Sequence, residues 1–225
     1  RNEEVDRQLS PQEEFHLVEF QEAASYLRNA FDERDRAINF YLTVLSAALA
    51  GSVALVRVQE KANMLNYPLL TAILVLVILG FAVMIGLFTA LVYVQIRINT
   101  WKYENTMIEI RRYFIEKATA ADPLFQQYEE RVQRLSRVTA YNPEGVNYHR
   151  FRVLIAANSF AALAAVALAG LALVQHHPRF NPLWLIPMVV LGGGSALALW
   201  HGQKLMYETR LRQADDSAPR EESKG

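Results

Sequence analysis

The longest apolar stretch of the chain begins at Leu69 and contains no charged residue before Arg97. Beyond Arg97 the sequence becomes polar and charged, yet no glycine or proline interrupts it before Ala118. A helix needs roughly 20 apolar residues to cross the hydrocarbon core of a membrane. The pattern therefore predicts one continuous helix over 69–118, with its first part in lipid and its second part in water.

Three other stretches are free of charged residues and long enough to span a membrane, at 37–56, 153–174 and about 181–200. The segments between the first and second spans and between the third and fourth are short. Short connections join antiparallel neighbours, so the four spans are predicted to form two transmembrane hairpins, over 37–96 and 153–201.

The charged residues are concentrated in three segments, 1–36, 97–152 and 202–225. In the first segment, Ser10 and Glu13 around Pro11 match a capping box, which predicts a helix that starts near Pro11. Its apolar stripe is expected to pack on the protein's own cytosolic helices rather than in the lipid headgroups, because the segment is acidic. The stripe consists of Phe20, Ala24, Leu27 and Phe31.

The central segment is predicted to be a helical hairpin. Asp122-Pro123 has the pattern of a break followed by a helix start, and apolar residues recur at helical spacing over 125–138. Together with the N-terminal helix, this hairpin would form a cytosolic helical bundle. The tail over 202–225 ends in a composition that supports no core and is expected to be partly disordered. The predicted fold class is all-α.

Basic residues near the spans predict the orientation of the chain in the membrane. The three charged segments contain 20 Lys and Arg residues, and the hairpin turns contain only Arg57, Lys61 and Arg179. This difference places both termini and residues 97–152 in the cytoplasm and predicts a multi-pass membrane protein.

Several polar side chains lie inside the predicted spans, and two explanations are open for them. They either form interhelical hydrogen bonds that fix packing or provide the polar lining of a pore or ligand site. These residues are Asn158, Ser159, Ser195 and Ser46.

The fourth predicted span contains residues that disturb helix geometry. Pro187 is expected to kink it, because proline lacks the backbone N–H of a helix interior. The run Gly192, Gly193 and Gly194 either admits a neighbouring backbone or acts as a gating hinge together with Pro187.

A candidate basic surface lies in the central charged segment. The simplest interpretation is that the acidic first helix docks on it, and the alternative is that it faces anionic lipid or a nucleotide. Its residues are Arg111, Arg112, Arg131, Arg134 and Arg137.

No catalytic motif, cofactor-binding motif or metal-ligand spacing is found along the chain, which contains no cysteine. None of the four predicted spans contains Asp, Glu, Lys or Arg, and ion-coupled transporters usually need such residues at membrane depth. We therefore expect neither an enzyme nor a secondary transporter, and no nucleic acid partner. The expected partners are the lipid bilayer and either further copies of the chain or other membrane subunits.

The segment QIRINTWKYENTMIEIRRYFIEKA carries an Arg-Arg-aromatic signature at Arg111-Arg112-Tyr113-Phe114. It resembles uncharacterised bacterial multi-pass proteins in which a membrane hairpin runs directly into a cytosolic helix. Residues 38–118 also resemble the SLATT-type membrane effectors of bacterial nucleotide-signalling defence, which are usually described with two spans rather than four. The resemblance implies a bacterial inner-membrane effector and carries over no functional residue.

Two function hypotheses follow from these patterns. The first is an oligomeric membrane channel or sensor-effector, active in bacterial defence or stress response, whose cytosolic bundle is coupled to the spans. The second is a non-catalytic accessory or assembly subunit of a larger membrane complex.

Overall fold

The structure is a computed structural model that describes residues 10–61, 68–117, 140–142, 145–174 and 185–217. The regular structure in these ranges consists of four helices: α1 (Pro11–Lys61), α2 (Pro68–Lys117), α3 (Val146–Val174) and α4 (Leu185–Ser217). The predicted all-α fold class is confirmed.

Three of the four helices, α1, α2 and α3, are long enough and apolar enough to cross a membrane. Each contains one of the predicted spans, at 37–56, 69–96 and 153–174. The fourth predicted span begins before Leu185, where α4 is first described, so its membrane crossing stays a prediction.

The start of α1 agrees with the sequence pattern. The Glu13 carboxylate accepts a hydrogen bond from the Ser10 backbone N–H at 2.7 Å, and the Ser10 hydroxyl accepts one from the Glu13 N–H at 3.3 Å. This is the predicted capping box, which satisfies backbone donors that have no partner inside the helix.

Both α1 and α2 continue through the points where the charge pattern changes. Helix α1 has no break at Arg34, Asp35 and Arg36, which mark the edge of the predicted first span. Helix α2 spans Pro68–Lys117 without interruption, which confirms the continuous helix predicted over 69–118. Neither transition contains a glycine or proline that would end a helix.

The chain divides into two compact units. Unit 1 comprises Arg1–Glu33 and Ile96–Ala140, and unit 2 comprises Arg34–Gln95 and Tyr141–Gly225. Helices α1 and α2 each contribute residues to both units.

In unit 1, the first part of α1 packs antiparallel on the last part of α2. The ring of His16 lies 4.4 Å from that of Tyr113, and the ring of Tyr26 stacks on that of Tyr103 at 3.9 Å. The face of α1 in this contact is rotated from the predicted one. Ala23 and Ala30 are its most buried side chains, whereas Phe31 is exposed. Phe20, Ala24 and Leu27 of the predicted stripe are half-buried.

Unit 2 contains segments of all four helices. Its buried apolar cluster, which we call the apolar layer, takes side chains from α1, α2 and α3. It consists of Val56, Ala72, Val75, Leu79, Ala165, Ala169 and Ala172. Helices α3 and α4 pack antiparallel, since Phe151 stacks on Tyr207 at one end of the contact and Gly192 meets Val166 farther along.

Three predicted features lie outside the described residues. They are the Asp122-Pro123 restart with the helix over 125–138, the turn between the third and fourth spans, and the end of the tail beyond Ser217. The cytosolic helical hairpin therefore stays a prediction.

Candidate functional site

Asn158 lies at the centre of unit 2, where α1, α2 and α3 meet. Its side chain is fully buried, and its Oδ1 accepts a hydrogen bond from the Tyr41 hydroxyl at 3.1 Å. Tyr41 is also fully buried. The contact is an interhelical hydrogen bond between α1 and α3, and it ties two predicted spans together.

Gly86 of α2 completes this junction. A Cβ atom at this position would lie 2.7 Å from Asn158 Cγ and 2.8 Å from Tyr41 Cε2, closer than carbon atoms can approach. Only glycine therefore allows the α2 backbone to pass beside the Tyr41 and Asn158 side chains. We call these three residues the Asn158 junction.

Several buried polar atoms of unit 2 have no hydrogen-bond partner among the described residues. They include Asn158 Nδ2, Ser159 Oγ and both amide ends of Gln203. Ser159 and Gln203 are buried, at 8% and 3% exposure. Leaving such groups unpaired is destabilising, because they lose their hydrogen bonds to water on folding.

The four polar candidates from the sequence separate into two pairs. Asn158 and Ser159 lie in the interior of unit 2. Ser46 and Ser195 are exposed, and Ser46 donates its hydroxyl to the Leu42 carbonyl of its own helix at 2.8 Å. The structure does not bring the two pairs together.

The glycine run of α4 is also divided. A Cβ on Gly192 would lie 3.2 Å from Leu163 Cδ1 and from Val166 Cβ, so this glycine lies against α3. Gly193 and Gly194 have no neighbour within 4 Å of a Cβ position. The helix passes through all three glycines, and Pro187 lies in the first turn of its described part.

An aromatic layer lies on the other side of the Asn158 junction from the apolar layer. The Phe151 ring stacks on the Tyr207 ring at 4.2 Å and lies 5.6 Å from the Tyr93 ring. All three side chains are at least 98% buried. They come from α2, α3 and α4, and we call them the aromatic layer.

A set of polar contacts joins α1 to α3 beside this layer. Buried Arg34 donates Nη1 to the Asn147 side-chain oxygen at 2.6 Å and Nε to Asp35 at 3.0 Å. Asp35 also accepts a hydrogen bond from Arg150 at 2.8 Å. The Tyr93 hydroxyl donates to the Asn147 carbonyl at 2.6 Å. Charge-assisted hydrogen bonds of this kind are the stronger ones in proteins.

Tyr141 connects the start of the α3 region to the end of α4. Its hydroxyl donates to Glu208 at 3.2 Å, and its backbone N–H donates to Asp215 at 3.2 Å. The Arg212 guanidinium lies over its ring at 5.3 Å. Burial, together with the negative charge of Glu208, raises the pKa of Tyr141 above its ordinary value.

Part of the predicted basic surface is described, in unit 1. Arg111 is exposed and its guanidinium lies over the Phe20 ring at 5.4 Å, which is a cation–π contact, and Arg112 is half-buried. Arg131, Arg134 and Arg137 lie outside the described residues.

The interior roles of four residues were not predicted from the sequence. They are Tyr41, whose side chain is buried against Asn158, and Gly86, Phe151 and Gln203. Only Gln203, a polar residue next to the end of a predicted span, carried a local signal.

The described residues contain no group of three or more His, Asp or Glu side chains placed to hold a metal ion. Their buried polar side chains are amides, hydroxyls and the two arginines Arg34 and Arg97. No family model, curated protein or solved structure matches this chain.

Proposed function

We propose that the chain is a four-span protein of the bacterial inner membrane that forms a homo-oligomer and acts as a channel or sensor-effector. Both termini and residues 97–152 lie in the cytoplasm in this proposal. The cytoplasmic segments receive a signal, and the spans respond by changing the permeability of the membrane. The protein is not an enzyme in this proposal.

The observation that carries the proposal is the continuity of α1 and α2. Each helix includes an apolar stretch long enough to cross a membrane and a charged stretch that belongs to a different compact unit. A change in the cytoplasmic part of either helix therefore reaches its membrane part through helical backbone, with no loop in between.

Glycines with open space beside them support the homo-oligomer. Gly51, Gly80, Gly193 and Gly194 have no atom within 4 Å of a Cβ position. Small residues on the outside of transmembrane helices let a second helix approach closely, and close packing is what drives helix association in lipid.

Reconstitution tests the channel activity. The purified protein should run as a defined oligomer in detergent and should release ions from liposomes. A monomeric protein whose liposomes stay tight under all conditions would refute the proposal.

Coupling through α2 is tested at Asn99 and Thr100, near the boundary between the units. The buried Thr100 hydroxyl donates to the Arg97 carbonyl at 3.0 Å, as part of the local helix. Replacing both residues by glycine should uncouple the signal from ion release while leaving membrane insertion intact, because glycine lowers helix stability by about 1 kcal/mol per residue relative to alanine. The alanine pair at the same positions removes the same side chains but keeps the helix stiff, and it should retain more coupling. Equal activity of the glycine pair and the wild type would show that the continuity of α2 has no role in signalling.

Topology is tested by single cysteines, since the chain has none of its own. A cysteine at Gln59 should react with a membrane-impermeant reagent only from the periplasmic side. Reaction only from the cytoplasmic side would refute the proposed orientation.

The same four glycines favour one second candidate, an accessory subunit that packs against a different membrane protein. In that case the chain should co-purify from the membrane with a partner at fixed stoichiometry. It should also lack self-association when expressed without that partner.

A further inference from the structure

Four side chains of unit 2 have buried polar atoms without a partner among the described residues. Asn158, Ser159 and Gln203 lie between the aromatic layer and the apolar layer, whereas Ser52 lies one turn before Val56 of the apolar layer. Asn158 is seven residues from Phe151 of the aromatic layer and seven residues from Ala165 of the apolar layer, about 10 Å of helix rise in each direction. Ser159 is its neighbour in the chain. These two residues therefore lie between two layers of buried apolar side chains.

The register of α3 and α4 places Gln203 about one turn from Asn158, on the side of the aromatic layer. Phe151 stacks on Tyr207, and the two helices are antiparallel. Gln203 precedes Tyr207 by one turn, which places it opposite the turn that follows Phe151, beside Ile155. Its side chain is 97% buried, and neither its oxygen nor its nitrogen has a partner among the described residues.

Direct hydrogen bonds between protein groups pair only some of the buried polar atoms between the two layers. Tyr41 occupies Asn158 Oδ1, which leaves Asn158 Nδ2 as a donor, Ser159 Oγ as donor and acceptor, and the Gln203 amide as both. Buried polar groups in proteins are paired in the great majority of cases, either with protein atoms or with water. The mixture of donors and acceptors suits water, which both donates and accepts hydrogen bonds.

We infer that Asn158, Ser159 and Gln203 line an internal hydration site of unit 2, which the aromatic layer closes on the cytoplasmic side and the apolar layer closes on the periplasmic side. The assignment of sides rests on the orientation in the proposed function, and the hydration site itself does not. In a conducting protein, the two layers are the gates of a pathway inside one copy of the chain. Apolar constrictions close pores by excluding water from them.

Single cysteines in a chain without native cysteine test this inference. Ser159→Cys changes one atom of the side chain and places a thiol between the two layers. The probe is the silver ion, which reaches thiols along water-accessible routes, and its reaction rate is followed from each side in right-side-out and inverted vesicles. In the otherwise unchanged protein the reaction should be slow from both sides.

Truncating a buried side chain in either layer should raise the silver reaction rate from one side of the membrane only. In the Phe151→Ala background the rate from the cytoplasmic side should rise about tenfold or more, which corresponds to a barrier lowered by about 1.4 kcal/mol. In the Leu79→Ala background the rise should occur from the periplasmic side. Phe160→Ala is the matched control, because Phe160 is on the same helix as Phe151 but is 56% exposed, and it should leave the rate unchanged. Ser195→Cys, an exposed thiol outside the site, should react at a rate that does not depend on Phe151 or Leu79.

If Phe151→Ala does not yield a monodisperse protein, Phe151→Leu opens the layer less and serves in its place. A folded Ser159→Cys protein whose introduced thiol stays unreactive in both open backgrounds would overturn the hydration site. Rates that rise on the opposite sides would support the site and overturn the proposed orientation. Tight liposomes together with the expected silver reactivity would leave the site standing and refute the channel activity.

Discussion

Replacing Gly86 by alanine should distinguish close packing at the Asn158 junction from a general effect of glycine in α2. The added methyl group would lie 2.7 Å from Asn158 Cγ and 2.8 Å from Tyr41 Cε2. Overpacking of this kind costs about 1–3 kcal/mol. Displacing the Tyr41 hydroxyl from Asn158 removes a hydrogen bond that contributes about 0.5–1.5 kcal/mol. Alanine recovers about 1 kcal/mol through its higher helix propensity. The net destabilisation should be about 2 kcal/mol, which lowers Tm by roughly 4–8 °C in a chain of this size.

Gly80→Ala is the control on the same helix. No atom lies within 4 Å of a Cβ at Gly80, so the substitution should be neutral or should stabilise the protein by up to about 1 kcal/mol. Thermal unfolding of both variants in the same detergent measures the difference. Equal shifts of Tm for the two substitutions would refute the packing argument.

A double-mutant cycle locates the clash. In an Asn158→Ala background the added methyl of Gly86→Ala meets a smaller neighbour, so its destabilising effect should fall by about 1 kcal/mol or more. Strictly additive effects of the two substitutions would show that Gly86 and Asn158 do not interact.

Three further substitutions test other contacts. Ser10→Ala removes one half of the capping box and should destabilise the first turn of α1 by about 1 kcal/mol, seen as faster hydrogen exchange of its backbone amides. Arg34→Ala removes two charge-assisted hydrogen bonds of a buried side chain and should lower the free energy of unfolding in detergent by about 2 kcal/mol. Tyr141 should ionise at higher pH than an ordinary tyrosine in an ultraviolet titration, and Glu208→Gln should lower its pKa. Because the folded-state pKa is raised, the Tyr141 contribution to stability is present at neutral pH and lost as the pH rises through that pKa.

Each of these expectations has a contradicting result. Hydrogen exchange at the first turn that is unchanged by Ser10→Ala would mean that the cap adds nothing to helix stability. An Arg34→Ala variant as stable as Arg57→Ala, which removes an exposed arginine of the same helix, would mean that burial and hydrogen bonding at Arg34 are immaterial. A Tyr141 titration that does not respond to Glu208→Gln would remove the carboxylate as a cause of the raised pKa.

The features that the sequence predicted correctly depend on neighbours in the chain. The helix start at Pro11 follows from Ser10 and Glu13, three residues apart, and both predicted hydrogen bonds are present. The continuous α2 follows from the absence of glycine and proline after Gly86, where no residue stops helix propagation. Apolar length likewise identified the stretches of α1, α2 and α3 that suit a membrane.

Which side of each helix faces its neighbours was decided by tertiary packing. In α1, the stripe of Phe20 and Phe31 was expected to be inside, but Ala23 and Ala30 are buried. A stripe of apolar residues is several positions wide, so its centre is set by the shape of the partner helix rather than by the stripe itself.

The polar interior of unit 2 likewise combines features that the sequence predicts with features that only tertiary packing decides. Apolar length in the sequence places both Asn158 and Ser46 in predicted spans, and nothing in their local sequence distinguishes the buried residue from the exposed one. Tertiary structure placed Asn158 beside Tyr41 and Gly86, which are 117 and 72 positions away in the chain. The sequence by itself determined the helices and their length, because these depend on local backbone interactions and on total apolar content. Only the tertiary structure decided which polar groups meet inside the bundle, because that depends on the rotation and close approach of helices that are distant in sequence.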